Sequence, residues 1–149
     1  RTDFDALQLL EGAHGVPFKA IEDLEGDYFF QYQNWQNLLL EIAINPSRVN
    51  ETELFDGNEL QVLSCLQQLL TEGIKLKVLK SDSANLELNK VIEKTSQRYL
   101  FKLLDDTSRA IALSKTTVNM KLLLDNVLIV WSHITHLKHY PTITHTQEF

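Results

Sequence analysis

The sequence has few of the residues that cross-link, break or bend a chain. Among its 149 residues are one cysteine, three prolines and five glycines. Because Cys65 has no second cysteine to pair with, an internal disulfide is excluded and a reducing compartment is expected. The low glycine and proline content predicts few turns and long elements. The chain begins at Arg1 and its only methionine is Met120, so we expect it to be a piece of a longer protein.

Positive net charge and long apolar runs are also lacking. The formal net charge is −6, so the domain as a whole has no electrostatic attraction to DNA or RNA. The longest apolar run covers about half of the ~20 residues that a membrane span needs. Neither an HExxH motif nor a P-loop occurs, since residues 12–15 (GAHG) lack both the glycine spacing and the Lys-Ser/Thr pair. What remains is an ordinary globular balance, with 44% hydrophobic and 23% charged residues.

The most apolar part of the sequence, residues 119–139, has the periodicity of a helix. Asn119 is a suitable N-cap, because its side-chain oxygen can accept from the free amides of the first turn. One face carries apolar residues at helical spacing: Met120, Leu123, Leu124, Val127, Leu128, Trp131 and Ile134. Leu122, Ile129 and Val130 occupy part of the opposite side. A helix that is apolar on two sides is normally buried on both, so we expect a central helix or one that meets another subunit.

Helical periodicity recurs along the whole chain and predicts an all-α fold, a bundle of about six or seven helices. The predicted helices cover residues 3–13, 17–26, 28–44, 59–78, 86–94, 97–115 and 119–139. Gly26 is expected to end the second helix or to mark a bend, and Gly73 is a point where the fourth could kink or end. The tail, residues 140–149, is expected to be extended or disordered.

Histidines form the one arrangement that could bind a metal ion. His133, His136 and His139 follow one another at intervals of three, and imidazoles one helical turn apart can share zinc. No acidic residue follows within that turn, so the preferred interpretation is a polar rim at the carbonyl end of the helix. A small metal-dependent helical enzyme built on these histidines is the alternative. Asp125 has no nucleophile beside it and Cys65 has no basic neighbour, so no catalytic constellation is predicted.

Lys75, Lys77 and Lys80 form a small basic cluster, and a second group of positive charges lies on one predicted helix. Arg98, Lys102 and Arg109 share a face of the helix at 97–115. Such a face is most often solvated, but it could contact an acidic partner helix. A further interpretation is a helical nucleic-acid adaptor that uses the same three residues, whose affinity would fall steeply with salt.

Two stretches, Leu9–Leu24 and Asn119–Trp131, carry motifs of a known family. The first reads LLEGAHGVPFKAIEDL, a small-residue helix followed by Gly-x-Pro and a helix with Ala and Leu. The second has an Asn cap before a dense leucine run. They resemble the end of the AAA+ lid and the closing helix of the delta prime subunit of the bacterial DNA polymerase III clamp loader. The helices between have similar lengths and order, so the resemblance spans residues 9–137.

The resemblance implies a domain organisation. Residues 1–26 would be the end of an AAA+ lid-like domain, 27–139 a helical collar and 140–149 a flexible tail. In this family the collars of three motor subunits, delta and delta prime close into a pentameric ring, which loads the sliding clamp during DNA replication. Phe18 stands where motor relatives carry a nucleotide-sensing arginine, so the resemblance favours the non-motor subunit and implies no cofactor. The collar of a related motor subunit is the runner-up.

The resemblance also implies partners and a location. The chain would be a non-catalytic part of a DNA-directed DNA polymerase holoenzyme, a nucleotidyltransferase, in the bacterial cytoplasm. Its partners would be the motor subunits and delta, with DNA and the sliding clamp reached only through the complex. Neither a membrane nor a small-molecule substrate is implied. We expect the subunit interface to include six residues of two helices: Arg98, Lys102, Arg109, Leu122, Ile129 and Val130.

Overall fold

A computed structural model describes residues 18–116 and 119–143. Within them the chain forms five α-helices, one 3₁₀ segment and no strand, which confirms the all-α prediction. The elements are α1 (Phe18–Ile44), the 3₁₀ segment (Pro46–Phe55), α2 (Glu59–Leu79), α3 (Leu86–Lys94), α4 (Gln97–Leu113) and α5 (Met120–Ser132). The helix predicted at 3–13 lies outside the described residues. The number of described helices is therefore five, where the sequence predicted six or seven for the whole chain.

One long helix, α1, replaces two predicted ones. It is continuous through Asp27 and through Gly26, where the sequence predicted an end or a bend. A single glycine costs a helix only roughly 1 kcal/mol against alanine, which is too little to end a helix of this length. The predicted end at Ile44 is confirmed, and the Asn45 side chain caps the 3₁₀ segment by accepting from Ser47 N at 3.3 Å.

The chain divides into two compact units, Arg1–Asn34 and Trp35–Phe149, and α1 contributes residues to both. In the first unit, Tyr28 and Tyr32 stack one helical turn apart, with ring centroids separated by 6.4 Å. Phe29 and Phe30 of the same turn are exposed. In the second unit α2 packs against α3, α4 and α5, and α5 also packs against α4 and the 3₁₀ segment.

The core of the second unit is built from leucine-rich faces. Helix α2 buries nine positions, which follow the helical repeat from Val62 to Leu76. Cys65 is one of them and is fully buried. Because most of these side chains are wholly withdrawn from water, their burial is the main stabilising term of this unit.

Gly73 lies inside α2 without interrupting it. Its Cα faces Ile92 of α3, and a methyl group at position 73 would overlap the Ile92 Cδ1 atom and lie 3.1 Å from its Cγ1. The glycine is therefore a point of close approach between α2 and α3. The helix ends at Leu79, and its C-cap residue Lys80 adopts a left-handed conformation with φ 53°. Ser81 N then donates to Leu76 O at 3.0 Å.

Helix α5 begins as predicted and ends earlier than predicted. Asn119 caps it, because its side-chain oxygen accepts from Leu122 N at 3.0 Å. The helix ends at Ser132, seven residues before the predicted end at His139, and turns follow. Its Trp131 indole Nε1 donates to the backbone oxygen of Leu39 in α1 at 2.6 Å, within the core. This bond connects residues 92 positions apart.

No helix among the described residues is long and apolar enough to cross a membrane.

The close approach at Gly73 predicts a coupling with Ile92. Gly73→Ala gains helix propensity of roughly 1 kcal/mol but must displace a buried Ile92 side chain. Ile92→Val removes the Cδ1 atom and the overlap. We therefore expect the change in the free energy of unfolding caused by Gly73→Ala to be more favourable, by about 1 kcal/mol, in the Ile92→Val background than in the natural chain. Urea unfolding of the four chains measures this; equal effects in both backgrounds would contradict the packing at this point.

Candidate interaction surface

The predicted second face of α5 splits into an exposed part and a buried part. Leu122 and Ile129 are 37% and 57% exposed, whereas Val130 is 5% exposed and belongs to the core. Each residue of a helix is rotated by about 100° from the last, so residues seven apart lie nearly in line. Ile129 is in line with Leu122, and Val130 is in line with the buried Leu123. The assignment of Val130 to an outward interface is therefore corrected.

Between the two exposed apolar residues lie Asp125 and Asn126, and we call these four residues the outer stripe. Partial burial raises the pKa of the Asp125 carboxyl, Lys121 lowers it, and the carboxylates of Asp56 and Glu59 raise it further. Lys121 also pairs with Asp56 at 4.0 Å. Lys121 alone does not neutralise the three carboxylates. The outer stripe therefore has apolar residues at both ends and net negative charge around it.

The predicted basic residues of α4 do not act as one group. The Arg109 guanidinium pairs with Asp105 at 3.0 Å and with Asp106 at 3.1 Å, which neutralises its charge within its own helix. Arg98 and Lys102 are exposed. Phe101, which the sequence interpretation did not select, is 49% exposed beside them. We call Arg98, Phe101 and Lys102 the α4 outer face, which combines an aromatic ring with two positive charges.

The start of the predicted tail, Tyr140, packs on α4. Its hydroxyl donates to the Asp106 carboxylate at 2.6 Å, and its ring lies 5.9 Å from that of Tyr99. The Lys102 ammonium is 5.6 Å from the centre of the Tyr140 ring. The Tyr99 hydroxyl donates to Lys138 O at 2.8 Å, which holds the preceding residues in place. We call this arrangement the Tyr140 anchor.

The Tyr140 anchor explains the buried charge of Asp106. Its carboxylate accepts hydrogen bonds from both Tyr140 and Arg109, so neither oxygen is without a partner. Burial raises the pKa of the Tyr140 phenol, and the hydrogen bond to Asp106 and its negative charge raise it further. The sequence interpretation missed these residues. Tyr140 stands 34 positions from Asp106, and no spacing rule joins a helix to a segment so far along the chain.

The three histidines do not form a metal site. Because α5 ends at Ser132, His133 occupies the C-cap and His136 and His139 follow in turns and a bend. Across the described ranges, 18–116 and 119–143, no group of three or more His, Cys, Asp or Glu side chains is arranged to hold a metal ion. The metal-enzyme alternative built on these histidines has no support from their geometry.

In the basic cluster of Lys75, Lys77 and Lys80, one member has a structural role. The Lys77 ammonium donates to Ile92 O at 2.8 Å, at the carbonyl end of α3. There a positive charge stabilises the helix dipole. Lys77 and Lys80 line an open polar cleft of about 500 Å³ beside Asp82 and Glu93. The acidic residues offset the lysines, so this cleft offers no net positive site for a phosphate.

Comparison with known proteins identifies no relative of this chain. No protein-family model matches it, and neither a curated protein nor a solved structure matches it.

The neighbours Val130 and Ile129 provide a matched test of the two sides of α5. Val130→Asp places a carboxylate in an apolar core, and we expect a loss of more than about 3 kcal/mol in the free energy of unfolding. Ile129→Asp adds the same charge on the surface and should change stability by about 0.5 kcal/mol or less. Urea unfolding compares them, and similar losses in both variants would contradict the observed orientation of α5.

The Tyr140 anchor predicts a pH-dependent contribution to stability. Because the folded-state pKa of Tyr140 is raised, its stabilisation is complete below the ordinary tyrosine pKa of 10.0 and is lost as pH rises above it. Tyr140→Phe should lower the free energy of unfolding by about 1 kcal/mol at pH 7. The difference in the free energy of unfolding between the natural chain and Tyr140→Phe should become smaller as the pH is raised beyond 10. Urea unfolding at a series of pH values measures it. A gap that is constant across this range would contradict the anchor.

Proposed function

We propose that this chain is a non-catalytic association module, the collar-like C-terminal region of a delta prime type of clamp-loader subunit. One observation supports an association module: α5 has a buried side and a side with exposed apolar residues, Leu122 and Ile129. Such residues on one line of a helix suit contact with another helix, because a docked partner removes them from water. Isolated exposed apolar residues are common, so their alignment is what matters.

The specific part of the proposal rests on the sequence resemblance. The Gly-x-Pro motif near residue 15 and the Asn-capped leucine run beginning at Asn119 are its main support. The capping bond of Asn119 is consistent with that resemblance, although the same cap occurs in many helices. On this proposal the module has no active site of its own and acts within a bacterial cytoplasmic polymerase holoenzyme. It contacts the motor subunits and delta, and reaches the sliding clamp and DNA through them.

Assembly with partner collars tests this proposal. The full chain is mixed at micromolar concentration with the collar regions of a motor subunit and of delta, and each mixture is analysed by size exclusion. We expect co-elution, because an interface of ordinary size withstands this dilution. Ile129→Asp should abolish co-elution while the chain stays folded by circular dichroism.

The control substitution is Leu86→Asp, at an apolar residue of α3 that is 73% exposed. It introduces the same charge on a different element and should leave co-elution intact. If the natural chain and the partner collars elute separately, the clamp-loader proposal is wrong. If both variants abolish co-elution equally, the outer stripe is not the contact.

A further inference from the structure

Two exposed surfaces of this chain are complementary in charge. The α4 outer face presents the Phe101 ring beside Arg98 and Lys102, and the Lys102 ammonium also lies 5.6 Å from the centre of the Tyr140 ring. The outer stripe of α5 presents Leu122 and Ile129 on either side of Asp125. Each surface therefore combines exposed apolar area with charge, and the charges are of opposite sign. Surfaces of this kind select each other, because both the apolar and the electrostatic contacts form only in the matched pairing.

The spacing of the outer stripe suits an inserted side chain. Leu122 and Ile129 are two turns apart, which separates them by about 10 Å along the helix axis. Asp125 and Asn126 occupy the turn between them. A side chain from another surface that enters this interval touches apolar groups at both ends and approaches the Asp125 carboxylate. An aromatic ring with a neighbouring cation meets both requirements.

The charge around Asp125 favours an incoming cation. Asp56 and Glu59 act on this carboxyl with the same sign of charge, and Lys121, which acts with the opposite sign, also pairs with Asp56. Negative charge on this side of the unit is therefore only partly compensated by the chain's own residues. A guanidinium or ammonium from outside would reduce the repulsion among the carboxylates.

We propose that the α4 outer face of one copy of this chain docks on the outer stripe of a second copy. Phe101 enters the interval between Leu122 and Ile129, and Arg98 and Lys102 approach Asp125. The two surfaces differ, so the contact is heterologous: each copy uses its α4 face for one neighbour and its α5 stripe for another. This inference uses the same outer stripe that the clamp-loader proposal assigns to a partner collar, so a bound collar and a second copy would exclude each other there.

The association is expected to be weak. The contact comprises few side chains, and interfaces of low area are transient. Each copy also carries a net charge of −6, which opposes association at long range. Oligomers should therefore form only as the concentration approaches the millimolar range, and heterologous contacts should produce rings or short chains of copies.

Sedimentation equilibrium of the full chain tests this inference, from micromolar to millimolar concentration. One double variant, Arg98→Glu with Phe101→Ser, disables the α4 face. The other, Asp125→Lys with Ile129→Ser, disables the α5 stripe. The named positions are exposed or half-buried, so both variants should fold, which circular dichroism and thermal unfolding check. Leu86→Ser is the matched control, because it removes an exposed leucine that belongs to neither of the two surfaces.

The natural chain and the Leu86→Ser control should exceed the monomer mass as concentration rises. Each double variant alone should associate at least about tenfold more weakly. A mixture of the two double variants should form a one-to-one dimer that grows no further, because each supplies the surface that the other lacks. The inference is overturned if the natural chain keeps the monomer mass throughout. It is equally overturned if the natural chain associates but the mixture does not, since that outcome indicates a symmetric contact or a different surface.

Discussion

The hydrogen bond from the Trp131 indole to Leu39 O sets the arrangement of the second unit. A buried indole N–H without a partner would cost free energy, and here its acceptor is a backbone oxygen of α1 at 2.6 Å. The bond joins the last helix of the unit to its first. The rotation of α5 that brings the indole to Leu39 O also buries Val130 and turns Ile129 outward.

Much of this fold could be predicted from local rules. Asn85 and Asn119 cap their helices through side-chain oxygens, as short polar residues before apolar periodic stretches do. Helix α3 occupies the predicted residues, Leu86–Lys94, and α4 begins after Ser96 as predicted. Pro46 marks the end of α1, because the residue before a proline is unsuited to a helix. These features depend on residues that are close together in the chain, so they can be predicted from the sequence.

The remainder depends on contacts between distant residues. Gly26 did not end α1, since its small cost was outweighed by the helix around it. The composition of α5 showed two apolar sides, but only its packing could assign Val130 to the core. The Tyr140 anchor joins residues that no periodicity relates. These contacts also alter the candidate surface, because Arg109 is neutralised within α4 and Phe101 of the same helix is 49% exposed.

The Trp131 bond holds α5 so that one side forms the core and Leu122 and Ile129 of the other side are exposed. Hydrogen exchange of the Trp131 indole N–H, followed by NMR, tests this most directly. If the bond is part of the cooperative core, the indole should exchange only through global unfolding, as slowly as the slowest backbone amides of α2. Rapid exchange of the indole while the α2 amides remain protected would contradict the account.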